Sequence, residues 1–389
     1  MDRLGEDLIA LIMEYLSTEL FVYFFPRHAK KAWSMRADSY YWASFIDDNR
    51  VRFGVFLWLI KNRIQPISSY GFDFLCKKGS LYLLRLMDQA FQVQGSSRAV
   101  DWASTYGHVD VLEWLYHNKV SKFDYKFDYT QIALDGASEC GYVDVLDWWK
   151  RKYKHNCVTL KYTKRAMDRT LSTGVLEWWL RMATKYEIEL KYSTKSIDTC
   201  TDVSILNWWL NAYLNYGIRM KYKMWAVNYA SSRGDINLLN WWFYRIRLHH
   251  THISVKYNEI AVDQASANGH VKVLEWWLDN WETNRFHMKY SSDAIDLASG
   301  NGHVHVLEWW FKMYQEGRVL LKRTVEAMNR ASQNEKLDTL DWWLNLHMKH
   351  KIPLLYDSRA IESALIHSHI FQWWANVCRR TRLGMENFL

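Results

Sequence analysis

Three prolines and sixteen glycines are few for a chain of 389 residues, and no stretch gathers them with serine. Flexible linkers are therefore not written here, and the scarcity of breakers favours helices. Cysteine is scarce too: Cys76, Cys140, Cys157, Cys200 and Cys378 are far apart, odd in number and in no CxxC pair. That pattern excludes a disulfide framework and a zinc finger, and points to a reducing compartment. No apolar run approaches the roughly 18 residues that a membrane helix needs; the longest is Leu20 to Phe25. The first seven residues are acidic where a secretory signal is basic. An intracellular protein, cytoplasmic or nuclear and not in a membrane, is the expectation.

Catalytic signatures are missing as well. There is no Gly-rich phosphate loop, no Gly-x-Ser-x-Gly elbow and no His-Glu-x-x-His helix. The histidines cluster at His249-His250-Thr251-His252 and His367-Ser368-His369, without cysteines or carboxylates at ligand spacing. Neither an enzyme, a bound metal nor a cofactor is expected.

What the chain does have is tryptophan, 23 of 389 residues, or about 6%. With 49% apolar and 24% charged residues it is otherwise composed like a folded protein, so disorder and collagen-like or low-complexity structure are excluded. The net charge of 50 − 42 = +8 permits an acidic partner without requiring one.

The tryptophans fall into a repeat. Trp-Trp pairs begin at residues 148, 178, 208, 241, 276, 309, 342 and 373, and Trp114-Leu115 is an earlier member. Around them recurs the pattern that is clearest from Lys256 to Leu278: Lys-Tyr, then Ala-Val-Asp-Gln-Ala-Ser, Ala-Asn-Gly-His and Val-Lys-Val-Leu-Glu-Trp-Trp-Leu. The alanine segment reads as a first helix, because Ala261 and Ala265 share one face. Gly-His ends it, since glycine accepts the left-handed C-cap conformation. The Trp-Trp segment has helical apolar spacing and forms the second helix. Two units are shortened: Ala166 to Trp178 and Ser196 to Trp208 span 12 residues, against 15 from Ala261 to Trp276. A break in curvature around residues 166 to 210 is expected there.

Burying a Trp removes roughly 150 to 250 Å² from water, about 4 to 6 kcal/mol gross, so the pairs are assigned to the core rather than to a ligand platform. Each buried indole then needs an acceptor. A ladder of short acceptors, Asp101, Asp135, Asp168, Asp198, Asn228, Asp263, Asp296 and Asn329, with Glu362 last, is expected to hold indoles or loop amides between units.

A unit of about 33 residues with helix, turn, helix and extended loop resembles the ankyrin repeat: Ala265-Ser266-x-x-Gly269-His270 and Val271 to Leu278 match its helix-turn-helix. Its Thr-Pro-Leu-His opening is absent, and its Leu-Leu core pair has become Trp-Trp. The expected fold is all-α, an ankyrin-like helical solenoid of about eleven helix-turn-helix repeats with an N-terminal helical cap. Residues 47–90 are read as degenerate entry repeats, 91–378 as the array and 379–389 as a basic C-terminal tail.

Residues 1–46 do not fit the repeat. Leu4, Leu8, Leu11, Ile12, Tyr15 and Leu16 lie along a leucine-rich helix, followed by a basic stretch ending in Trp33. This segment looks like an F-box, a family whose usual Leu-Pro start is Leu4-Gly5 here. An amphipathic cap over the open end of the stack accounts for the same residues. The resemblance implies an adaptor: residues 1–46 dock on a Skp-type subunit of a cullin ubiquitin ligase while the repeats select a protein target. A protein-binding scaffold without a ligase role and a basic solenoid binding acidic protein or nucleic acid are the alternatives. The chain is expected to be monomeric.

Two surfaces are candidates for the partner. Immediately after the ladder position the units carry Trp102, Gly136, Arg169, Thr199, Tyr229, Gln264, Leu297, Arg330 and Ser363, a varied row suited to protein hot spots. Tolerated solvent positions would look the same. The second is the loop edge, Lys161, Lys191, Lys221, Lys256, Lys289 and Lys322, one cation per unit, which also reads as a routine solvated loop.

Overall fold

The computed structural model describes residues 69–91, 95–123, 127–245, 253–283, 285–365 and 367–381. The F-box-like residues Leu4, Leu8, Leu11, Ile12, Tyr15, Leu16 and Trp33, residues 47–68 and most of the basic tail lie outside them. The chain divides into two compact units, up to Thr163 and from Lys164 on, and each is a stack of helix-turn-helix repeats. Among the described residues there is no strand, so the fold is the expected all-α repeat solenoid.

In the first unit the first helices are Ser69–Lys78, Ser97–Thr105 and Ile132–Glu139, paired with second helices Leu81–Phe91, Val109–Phe123 and Val143–Lys154. In the second unit Arg165–Asp168, Lys195–Asp198, Trp225–Ser232, Ile260–Ala267, Asp293–Asn301, Glu326–Gln333 and Ser358–Ala364 are the first helices. Their partners are Thr173–Tyr186, Val203–Tyr216, Ile236–Asn240, Val271–Glu282, Val304–Gln315, Leu337–His350 and Ser368–Thr381. Ile236–Asn240 runs on into a π-helical turn, Trp241–Arg245, which lays Phe243 against Tyr257, Trp276, Trp277 and Phe286. Within each unit successive first helices pack side by side, as do successive second helices. The small alanines permit the first contact: Ala99, Ala103, Ala133, Ala137, Ala261, Ala265, Ala294 and Ala298 are all buried.

The turn between helices behaves as its sequence demands. Gly107 and Gly269 have φ of +86° and +81°, a conformation that a Cβ would strain. His108 and His270 follow them, and each ring places Nε2 on a carbonyl of the preceding repeat, Lys77 at 2.9 Å and Ser232 at 3.0 Å. The two shortened repeats lack this turn. Their first helices are only four residues long, and their second helices start instead on side-chain caps, Ser172 accepting from the Val175 amide and Asp202 from the Ser204 amide.

Tryptophan fills the interface between the two helix layers. The second indole of every pair from Trp149 to Trp374 is at most 1% exposed. It stands edge-on to the first indole, with ring centroids 4.7 to 5.2 Å apart, as at Trp342–Trp343 and Trp276–Trp277. The first indoles vary more: Trp148 and Trp178 are buried, Trp208, Trp276, Trp342 and Trp373 half-buried.

Candidate interaction surface

Which residues are free to meet a partner follows from which are spent inside the stack. The acceptor ladder is spent. Asp263 accepts from the Ser291 amide at 2.9 Å and from its hydroxyl at 2.6 Å; Asp296 does the same with Thr324 at 2.9 and 2.6 Å. Asp101 holds Thr130, Asp135 holds Thr163 and Asp168 holds Ser193 in the same two-pronged way, whereas Asp198 holds the Lys223 amide. The Ser or Thr oxygen then accepts from the amide two residues on, the first residue of the next first helix. Asn228 and Asn329 make amide versions of the rung, with Asn258 and Asp357. These side chains therefore bind loop amides and hydroxyls, and not indoles. An earlier rung escaped the sequence reading: Asp73 on Ser96, at 2.8 and 2.5 Å, 28 residues before Asp101. Glu362, the expected last member, is exposed.

The indoles have their own acceptors. In Trp149, Trp277, Trp310, Trp343 and Trp374 the ring N–H donates to Ser104, Ser231, Ser266, Ser299 and Ser332 of the preceding repeat, at 2.9 to 3.1 Å. That serine stands three residues after the ladder Asp or Asn. The first indole donates instead to the residue that precedes the previous pair: Trp208 to Glu177, Trp241 to Asn207, Trp276 to Asn240 and Trp373 to Asp341. Trp148 donates to Glu113, which also binds Lys152 at 2.8 Å and His117 at 2.7 Å. Burial raises the Glu113 carboxyl, but those partners outweigh it and hold it below the usual range.

The loop edge is largely committed too. The Lys161 ammonium lies 4.4 Å from the Tyr129 ring centroid and 2.8 Å from its carbonyl; Lys221 sits 4.0 Å over Tyr192 and Lys322 4.3 Å over Tyr290. Lys256 and Lys289 cover Tyr222 and Tyr257 at 4.9 and 5.1 Å. Lys191 stands 4.0 Å from Glu189. Each tyrosine packs on a core indole, Tyr192 on Trp209 at 4.7 Å, and passes its hydroxyl to a carbonyl of the next loop, here Arg219. Where the loop reads Lys322-Arg323, Arg323 takes the tyrosine's place, 4.7 Å over Trp343. All of these lysines except Lys191 are cation–π clasps between repeats.

What remains is the outer face of the first helices. Of the row after the ladder, Arg169 is exposed, and Trp102, Gln264, Leu297 and Arg330 are half-buried. Gly136 is not a surface slot at all, being buried beneath Thr105. Arg330 reaches back to Glu326 at 3.2 Å. Tyr229 is 41% exposed and stacks on Trp225, itself 39% exposed, with centroids 5.6 Å apart and planes at 28°. In the first unit Trp102 meets Tyr70 edge-on at 5.7 Å, and the Lys77 ammonium lies 5.7 Å from Trp102 and 4.8 Å from Tyr106. The stack at Trp225 shows that the row is double. Four residues before each member lies a second surface position: Arg98, Ile132, Arg165, Lys195, Trp225, Asp293 and Arg359 are exposed there, and Ile260 and Glu326 half-buried. Helical i, i+4 spacing applied to the first row would have found it.

Among the described residues no helix is long and apolar enough to cross a membrane, and no three His, Cys, Asp or Glu side chains gather as metal ligands. No family model matches the chain, and no curated protein matches it. Among solved structures it is similar to the pentatricopeptide repeat protein PPR10 from maize, at 10% identity over 96% of this chain, with a TM-score of 0.30. The chain spans 63% of that protein's length.

Proposed function

We propose that this chain is a protein-binding scaffold of divergent ankyrin-like repeats, which presents a partner with the exposed double row of its first helices. One observation carries the reading: the positions that recur unchanged are consumed within the stack, while the two positions that vary lie, Gly136 apart, at least partly at the surface. The Trp225–Tyr229 stack supports a protein partner, since exposed aromatics are what binding hot spots are enriched in. The lysine edge supports a nucleic-acid reading less, because its charges lie over tyrosine rings and against carbonyls. Affinity capture with the full chain tests it. A bound protein should be lost on Trp225→Ala with Tyr229→Ala and kept on Lys256→Glu with Lys289→Glu; the reverse pattern overturns the reading.

The narrower adaptor role rests on the leucine-rich pattern from Leu4 to Leu16 and on Trp33. A purified Skp-type subunit should bind the full chain and lose it when residues 1–46 are removed. Absence of binding to both rejects the adaptor and leaves the scaffold.

A further inference from the structure

One helix-turn-helix junction breaks the rule of the others. Gly79, Gly107, Gly141, Gly234, Gly269 and Gly302 hold the left-handed conformation in their turns, with φ between +70° and +86°. Glu335 stands at the corresponding place with φ of +58°, and its turn closes by the same bonds, the Glu335 amide donating to the Ser332 carbonyl and the Lys336 amide to that of Ala331. Among the described residues it alone carries a Cβ at this point of the turn, where the left-handed region penalises one. Strain of this kind persists where the surroundings hold the residue in place. The next turn holds this one: His367 Nδ1 lies 3.3 Å from one carboxylate oxygen of Glu335, and His369 Nε2 lies 3.2 Å from the other. The preceding turn has the same His-x-His spacing and no such acid. There His305 Nε2 meets the Gly269 carbonyl at 3.0 Å, and burial, with His305, His270 and Lys336 nearby, keeps the His303 imidazole below its usual range.

We propose that Glu335, His367 and His369 form an acid-strengthened clasp that docks the last repeat, residues 358–381, on the repeat before it. A neutral imidazole brings the carboxylate no charge, whereas imidazole is ordinarily protonated below about pH 6.5. Each ring has its own oxygen, so the three side chains make a bridge and not a shared metal site. The other titratable groups of the three turns are His303 and His305 before it, Lys336 and Asp338 beside it, and Glu362 after it; Arg330, one helical turn earlier, is taken by Glu326. The cations among them oppose protonation of the two rings. Glu335 favours it from direct contact, where Coulomb attraction is strongest. The Asn329–Asp357 rung and the indole bonds of Trp373 and Trp374 do not titrate with imidazole, so the clasp sets how often the last repeat opens and not whether it folds. Arg359 and Ser363 end the double row and belong to that repeat. On the scaffold reading, acid therefore steadies the far end of the surface offered to a partner; the clasp itself does not depend on that reading.

Hydrogen exchange on the full chain tests this, read as protection factors of the amides from Ile370 to Val377. Between pH 8 and pH 5.5 their protection should rise about fivefold more in the unaltered chain than in Glu335→Gly, the effect of two partly exposed ion pairs. The rung carboxyls respond to acid in both chains, so their part cancels. At pH 8 Glu335→Gly should be protected as well as the unaltered chain or better, because glycine takes the turn without strain and is what the other turns carry. Glu335→Gln keeps the Cβ and removes the charge, so it should lose the acid gain without any benefit at pH 8. His367→Asn with His369→Asn should remove the same gain, and adding that pair to Glu335→Gly should take away nothing further at pH 5.5. A full acid gain in Glu335→Gly overturns the proposal. So does an equal loss of protection at both pH values, which would leave Glu335 a structural residue only.

Discussion

The repeats at Lys195–Asp198 and at Asp293–Asn301 are built on one plan and finished differently. The longer helix keeps the carboxylate rung, the serine that receives an indole, and a Gly-His turn; Asn301 adds a bond to the Ala267 carbonyl. The shorter one keeps the rung alone. Its predecessor, Arg165–Asp168, has Leu171 where the serine would stand, and the Trp209 indole N–H, fully buried, has no acceptor. Arg233 repairs part of the gap by donating to the Cys200 carbonyl at 2.7 Å. The difference teaches which tie is indispensable: the rung fixes where the next repeat begins, and the indole bond adds stability to a stack already placed.

That contrast can be broken by substitution. The largest effect is expected for Trp343→Ala, about 4 kcal/mol in urea unfolding, because it empties a core site and strands Ser299. Asp296→Ala should cost about 2 to 3 kcal/mol by orphaning the Thr324 amide and hydroxyl. Asp198→Ala should cost about 1 kcal/mol less, since Asp198 holds only the amide of Lys223 across that junction. Trp343→Phe should be worse than Trp209→Phe by about 1 to 2 kcal/mol, since only the first forfeits a hydrogen bond. Equal losses would show that the orphaned Trp209 N–H has a partner after all.

A smaller effect is expected with pH. Burial raises the carboxyl of Asp263 from 3.8 to about 6, and pushes Asp73, Asp101, Asp198 and Asp296 upward as well. A carboxyl raised on folding stabilises most when protonated, so its contribution is complete below about 3.8 and is lost as pH climbs through 6. The melting temperature of Asp263→Asn, relative to the unaltered chain, should therefore rise between pH 4 and 7. The gain corresponds to at most about 2 kcal/mol after solvent screening. Asparagine already fills the rung at Asn228 and Asn329, so the substitution keeps the geometry. Smallest of all, Leu171→Ser should change stability by less than about 0.5 kcal/mol, because the side chain is 63% exposed.

Repetition made most of this legible. The Trp-Trp period, the alanine faces and the Gly-His turn recur often enough to give the helical repeats and their core, and the ladder of acids stood out by position. Its partners did not. Ser266 and Ser299 are inconspicuous beside the tryptophans they bind 44 residues later, a distance that no local pattern spans. Asp73 was hidden because its repeat lacks the Trp signature, and the π turn at Trp241–Arg245 has no apolar period of its own. The lysines looked like a charged edge because sequence shows charge and not the ring beneath it. On the exposed face, one row was visible as variety beside monotony; its partner row needed the helix geometry.

The ties between repeats also have a direction. Indoles, loop amides, lysines and turn asparagines in a later repeat donate to carboxylates, serines and carbonyls in an earlier one; the tyrosine hydroxyls, the amide groups of Asn228 and Asn329, and Arg323 run the other way. During synthesis, each repeat leaving the ribosome would find its acceptors already in place. The growing end would always present an edge of open acceptors, ready to template whichever repeat is made next.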